Sequence, residues 1–227
     1  MKMRQLLISA FAVAVLLLFG GVNEVSAGPL TYKVSSNTVT VTDCKESASG
    51  ALVIPATYDG KPVTSIGSWA FWKCTNLTSV TIPDSVTSIG NFTFHSCSDL
   101  RSVTIGNSVT HIMAGAFFRC SSLTGVSIPD SVTNIDIGAF VGCSSLTSIT
   151  IGNGVTSIGR LAFYECSSLT SITIPECVTS IRLSVLWTCK SLTSITIPDT
   201  DHTITVRALR VSLRLTRLPF SSDLATL

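Results

Sequence analysis

The sequence predicts a repeat solenoid, mainly β with short helical or 3-10 turns, built from stacked 23-residue coils. Three observations carry that expectation. Cys74, Cys97, Cys120, Cys143, Cys166 and Cys189 recur every 23 residues without a slip. Apolar residues accompany each cysteine at fixed offsets, and a fixed period of this length marks a repeat architecture. The composition agrees: the 227 residues are 45% hydrophobic and only 12% charged, where an average domain carries about 25% charge. Disorder needs high charge and low hydrophobicity and is excluded. A formal net charge of +2 leaves no basic surplus to neutralise phosphates, so no nucleic-acid partner is expected.

Residues 1–27 read as a signal peptide. Lys2 and Arg4 precede an apolar run from Leu6 to Val15 and on to Phe19, and Val25-Ser26-Ala27 supplies small residues for cleavage after Ala27. The run is shorter than the roughly 20 residues a spanning helix needs. No second apolar span follows, so no membrane span is expected after removal. The expected location is secreted or cell surface.

Residues 28–65 read as an N-terminal β cap. Tyr32-Lys33-Val34 and Val39-Thr40-Val41 flank Ser35-Ser36-Asn37 as a hairpin, and Val53-Ile54-Pro55 resembles a degenerate strand end. Such a cap covers the open edge of the first coil, which otherwise invites aggregation.

Residues 66–199 form the solenoid. After each cysteine come Leu77, Leu100, Leu123, Leu146, Leu169 and Leu192. Val80, Val103, Val126, Ile149, Ile172 and Ile195 follow, then Ile82, Ile105, Ile128, Ile151, Ile174 and Ile197. Apolar and polar residues alternate with period two over that stretch, so it is a strand with one inward face. A second apolar pair, as in Val86-Thr87-Ser88-Ile89, predicts a short strand or extended edge. Ala70-Phe71, Ala116-Phe117, Ala139-Phe140 and Ala162-Phe163 predict a helical or 3-10 turn over the core. One coil buries roughly six apolar side chains at about 1.5–3 kcal/mol each. Ordering its backbone costs about 1–2 kcal/mol per residue, so a coil is stable only when stacked.

The turn after each strand reads Pro83-Asp84, Gly106-Asn107, Pro129-Asp130, Gly152-Asn153, Pro175-Glu176 and Pro198-Asp199. Asp and Asn there suit Asx turns. Their alternation keeps Asp84 and Asp130 two coils apart, roughly 10 Å, which reads as avoidance of stacked like charge. No second ligand column accompanies this row, so calcium is not expected.

The block from Ile66-Gly67 through Ala70-Phe71, Cys74-Thr75-Asn76-Leu77-Thr78-Ser79-Val80-Thr81-Ile82 and Pro83-Asp84-Ser85-Val86-Thr87-Ser88-Ile89-Gly90 resembles the BspA-like class of leucine-rich repeats. The resemblance runs from about Leu30 to Asp199. It implies a secreted or cell-surface protein associated with adhesion to matrix proteins or other cells, and it brings no catalytic residues. Residues 200–227 form a degenerate tail, in which Ile204 and Leu215 keep register but no A-F-x-x-C phrase appears. The tail keeps open a second reading, a structural spacer or a truncated remnant of a larger surface protein.

Two rows are candidate binding faces. The solvent side of the strand ladder carries Ser79, Thr81, Ser102, Thr104, Ser127, Ser148, Thr150, Ser171, Thr173, Ser194 and Thr196, with Gly125 interrupting. Extended faces of this kind are where solenoids bind partners, although threonine also simply suits strand surfaces. The threonine lattice is similar to that of ice-binding solenoids, but Arg101 and Gly125 break it. The second face is a column after the core phenylalanines: Trp72, His95, Phe118, Val141, Tyr164 and Trp187. Trp and Tyr are favoured interface anchors, so Trp72, Phe118, Tyr164 and Trp187 form the candidate aromatic face. The expected partner is a protein or glycan at a cell surface or matrix.

No catalytic, metal or cofactor site is expected. His95, His111 and His202 occupy different repeat columns, and nothing gathers them with a nucleophile. The repeat cysteines have parallel side-chain directions, unfavourable for disulfides, and read as buried reduced thiols. Cys177 replaces serine in a polar turn and is expected to be an exposed thiol; Cys44 lies in the cap. The sequons Asn76-Leu77-Thr78 and Asn91-Phe92-Thr93 read as chance matches in a hydroxyl-rich chain.

Overall fold

In-register stacking is the organising feature of the computed structural model, which describes residues 23–197 apart from 179, 182 and 183. The tail 200–227, His202 and the first 22 residues of the expected leader lie outside the described residues. The last five residues of that leader form β1 (Asn23–Ala27), antiparallel to β2 (Leu30–Val34). β2 returns antiparallel onto β3 (Val39–Cys44). Next come β4 (Ser49–Val53), β5 (Thr57–Tyr58) and β6 (Lys61–Ile66), with β6 parallel to β3 and antiparallel to β5. The Tyr32 and Tyr58 rings stack at 4.0 Å over this region.

The coils then alternate longer and two-residue strands. They are β7 (Asn76–Thr81), β8 (Ser88–Ile89), β9 (Ser102–Thr104), β10 (His111–Ile112), β11 (Gly125–Ile128) and β12 (Asn134–Ile135). They continue as β13 (Ser148–Ile151), β14 (Ser157–Ile158), β15 (Ser171–Thr173), β16 (Ser180–Ile181) and β17 (Ser194–Thr196). The longer strands make a parallel sheet ordered β13-β11-β9-β7-β4, with β15 and β17 paired beyond it, and the short strands make a second sheet that runs from β6 to β16. Partners differ by 23 residues, as in Val80 opposite Val103, Val126 opposite Ile149 and Ile89 opposite Ile112.

Between the sheets each coil buries its Leu, Val, Ile and Cys rows. A spine of rings runs along the axis: Phe71, Phe94, Phe117, Phe140 and Phe163, with successive centroids 4.8, 5.2, 5.1 and 5.6 Å apart. In the second coil Thr93 replaces alanine, and its buried hydroxyl donates to the carbonyls of Gly67 and Gly90 at 3.1 and 2.8 Å. That satisfies a polar group whose burial would otherwise be costly.

The Ala-Phe segments are not helical or 3-10. They are consecutive hydrogen-bonded turns, for example Trp72 N–H to Trp69 C=O at 2.9 Å and Cys74 N–H to Phe71 C=O at 3.1 Å. Trp69 and Lys73 have left-handed backbones, φ 64° and 56°, and a left-handed residue every fourth position stops any helix. The turns bond along the axis instead, as Phe71 N–H does to Thr93 C=O at 2.8 Å and Phe94 N–H to Ala116 C=O at 2.8 Å.

The Pro-Asp and Gly-Asn turns fit each other sterically. A Cβ on Gly106 would overlap the Pro83 carbonyl, and one on Gly152 would come within 2.6 Å of Pro129. At these two positions a Cβ has no room, and glycine is required. The carboxylate also acts: Asp84 and Asp130 accept the backbone N–H of Asn107 and Asn153, each at 2.7 Å.

Candidate functional site

Register converts the abundant Ser and Thr into columns, among them two contrasting kinds. In the first kind each hydroxyl donates to a backbone carbonyl 23 residues earlier. Thr87, Thr110 and Thr133 do so onto Thr64, Thr87 and Thr110 at 3.1, 3.1 and 3.2 Å. Thr147 and Thr193 continue the pattern onto Thr124 and Thr170, and Ser144 onto Ser121. These hydroxyls fasten coil to coil.

The second kind is the predicted ladder face. Ser79 and Thr81 are half-buried, and Ser102, Thr104, Ser127, Ser148, Thr150, Ser171, Thr173, Ser194 and Thr196 are exposed. Among the described residues none of these hydroxyls has a hydrogen-bond partner. Their strands point them outward because Val80, Val103, Val126, Ile149, Ile172 and Ile195 take the inward position between them. Gly125 leaves a shallow gap beside the Ser148 hydroxyl. The face is thus an array of free donors and acceptors on a hydrogen-bonded sheet.

The aromatic column is divided. Val141 is buried and separates a pair, Tyr164 and Trp187, edge-on at 5.6 Å, from Trp72, His95 and Phe118. His95 lies flat on Phe118, with centroids 4.9 Å apart and planes 4° apart. Two rings that sequence reasoning missed join this cluster. Trp69 stacks on Phe92 at 4.5 Å and meets Trp72 edge-on at 6.5 Å. The Phe92 ring in turn covers Gly115, where a Cβ would overlap it. The signal was in the column Trp69, Phe92, Gly115, Gly138, Leu161, Ser184, where bulky rings replace glycine. Lys73 Nζ sits 4.3 Å over the Trp72 ring, and the Arg119 guanidinium 5.5 Å from the Phe118 centroid. Burial lowers the His95 pKa most, and Arg119 and Lys73 push the same way.

Each repeat cysteine from the second coil on is a free, buried thiol that donates to a phenylalanine carbonyl one coil back. Cys97, Cys120, Cys143, Cys166 and Cys189 reach Phe71, Phe94, Phe117, Phe140 and Phe163 at 3.0–3.3 Å. Burial pushes the pKa of Cys97, Cys120, Cys143 and Cys166 well up, and that of Cys189 to about 12. Cys74 has no phenylalanine behind it and reaches the Cys44 and Lys45 carbonyls of the cap instead. Cys177 is exposed. His111 lies in β10 with Thr110 beside it at 2.9 Å, away from the His95 cluster's column.

A family model for the BspA type leucine rich repeat region matches six copies over residues 58–135 and 115–227. The chain belongs to the BspA-type leucine-rich repeat family. Among solved structures it is similar to the T. pallidum leucine rich repeat protein at 29% identity and a TM-score of 0.73, over 78% of this chain and 84% of that one. It is similar to a leucine rich cell surface protein of Faecalibacterium prausnitzii at 30% identity and TM-score 0.57, spanning 78% of this chain and 55% of that protein. A leucine-rich repeat protein from Bacteroides capillosus shares 34% identity over 56% of this chain and 97% of its own, with TM-score 0.51. A comparison with curated proteins finds no match. These matches are repeat proteins, one of them described as a cell-surface protein, and none carries an enzyme's description. Among the described residues no helix is long and apolar enough to cross a membrane.

Proposed function

We propose that this BspA-type repeat protein is exported and acts without catalysis, holding a protein or glycan at a cell surface or matrix against the outer face of its longer-strand sheet. The observation that supports this reading is the sorting of hydroxyls. Three hydroxyl columns elsewhere on the coil are bonded to the coil before, while the hydroxyls on this face are unpartnered over six successive strands and exposed on the last five. A lattice of uncharged donors and acceptors favours a hydrogen-bonded contact that is weakly salt-dependent. The cell-surface description of the F. prausnitzii relative supports the location.

The test is capture from a panel of purified matrix proteins and glycans on the immobilised chain. Lysines introduced as Thr104→Lys, Ser127→Lys and Thr150→Lys should block capture by at least tenfold and leave the circular-dichroism melt in place. Capture unaffected by three lysines in the middle of the sheet would remove this face from the account.

A further inference from the structure

A second surface, on the turns rather than the sheet, has the construction of a binding site. The cap follows the first coil closely along both sheets but cuts its corner. From Val41 to its partner Ile66 is 25 residues, whereas from Cys44 to Cys74, whose thiol meets the Cys44 carbonyl, is 30. In the repeats the same two contacts span 23 and 26 residues, so the cap is two residues short here, and the first coil's turn, 67–73, overhangs it. Trp69 is 46% and Trp72 41% exposed as a result.

The rings are held in place deliberately by the backbone. Trp69 and Phe92 have φ of 64° and 53°, the left-handed backbone that every coil's turn adopts in this column, at Gly115, Gly138, Leu161 and Ser184 as well. The outcome is a graded stack, Trp69 on Phe92 on Gly115, whose outer ring face is the exposed one. Trp72 stands perpendicular to it, at 88°, so the two indoles form an open corner. The flanking charges have one sign: the turns 67–73, 90–96 and 113–119 contain Lys73 and Arg119 and no carboxylate. In the adjoining cap Asp43 and Glu46 flank Lys45, and both carboxylates act on Cys74 just past the first coil's turn.

We propose that this corner binds an acidic glycan, with a sugar ring against the free face of Trp69 and its sulfate or carboxylate groups on Lys73 and Arg119. Aliphatic C–H groups of a pyranose face match an exposed indole plane, and guanidinium and ammonium groups supply charge-assisted hydrogen bonds to the anion. What the turn offers is exposed ring faces beside cations, with no free strand edge for an extended peptide to extend. This site is distinct from the sheet face and stands without it.

The probe is a heparin octasaccharide, titrated into the full chain with tryptophan fluorescence and calorimetry as readouts. Maltohexaose serves as the neutral sugar and polyglutamate as the acidic chain without sugar rings. Trp69→Gly removes the ring while keeping a residue suited to the left-handed backbone, so the melting temperature should change by no more than a few degrees. Binding of the octasaccharide should quench tryptophan emission, weaken at least tenfold in Trp69→Gly and in Lys73→Gln/Arg119→Gln, and exceed binding of both controls. Three results would each overturn the proposal: undiminished affinity in Trp69→Gly, equal binding of polyglutamate, or no binding of the octasaccharide. So would a self-associating chain whose dimer is lost in Trp69→Gly, since the corner would then hold a second copy.

Discussion

Alkaline conditions should unfold this protein unusually steeply, because five of its buried thiols are held protonated. Cys97, Cys120, Cys143, Cys166 and Cys189 all have pKa values raised above 9.0, chiefly by burial. In the unfolded chain each titrates near its ordinary value, about 8.5–9. A raised folded pKa contributes stability that is complete below the unfolded value and lost as pH climbs towards the folded one. Between pH 9 and about 12 the folded state therefore binds more protons, by up to one per thiol. Each such proton removes about 1.4 kcal/mol of stability per pH unit. At pH 10 five thiols together remove about 7 kcal/mol, within the roughly 5–15 kcal/mol that holds a typical domain together. Urea unfolding followed by circular dichroism from pH 7.5 to 10.5, with reductant present, measures the slope. Cys120→Ala should start less stable, since it loses the thiol's bond to Phe94, yet fall more gently with pH by about one proton. A stability flat from pH 8 to 10, or a Cys120→Ala slope equal to the parent's, would refute the reasoning.

Other perturbations follow from the same packing. Phe117→Ala opens a hole between Phe94 and Phe140, whose rings lie 5.2 and 5.1 Å away, and should cost about 3–5 kcal/mol in urea unfolding. Gly106→Ala drives a Cβ into the Pro83 carbonyl and should cost about 1–3 kcal/mol, read as a lowered urea midpoint. A thiol-reactive reagent at neutral pH should label Cys177 quickly and the seven buried cysteines only in denaturant. Rapid labelling of several thiols in the native chain would contradict the burial.

Much of this architecture is legible because a strict period makes one coil predict the rest. The cysteine spacing gave the coil length, and the Leu77 and Val80 rows gave the inward strand face, since period-two alternation depends only on the pleat. The turns were less legible. Ala70-Phe71 suggested a helical turn, but Trp69 and Lys73 adopt positive φ, and nothing local compels Trp or Lys to do so. Only stacking against the neighbouring coil does. The Pro-Asp and Gly-Asn alternation read as charge spacing, whereas contact between adjacent coils shows a carbonyl pressed against glycine and a carboxylate on a backbone N–H. The aromatic column looked continuous, yet Val141 turns inward and divides it, while Trp69 and Phe92 come from another column. For the hydroxyl rows, residue type was visible but partnership was not, because a threonine on a strand and one beside a turn read alike.

The most direct measurement compares matched isosteric variants in the two kinds of hydroxyl row. Thr87→Val, Thr110→Val and Thr133→Val remove three coil-to-coil hydrogen bonds, at about 0.5–1.5 kcal/mol each. They should lower the melting temperature and leave partner capture unchanged. Thr104→Val, Thr150→Val and Thr173→Val remove exposed, unpartnered hydroxyls and should leave the melt unchanged while weakening capture. Equal effects of the two triplets on capture, or an exchange of their effects, would contradict the assignment of the sheet face as the surface that meets a partner.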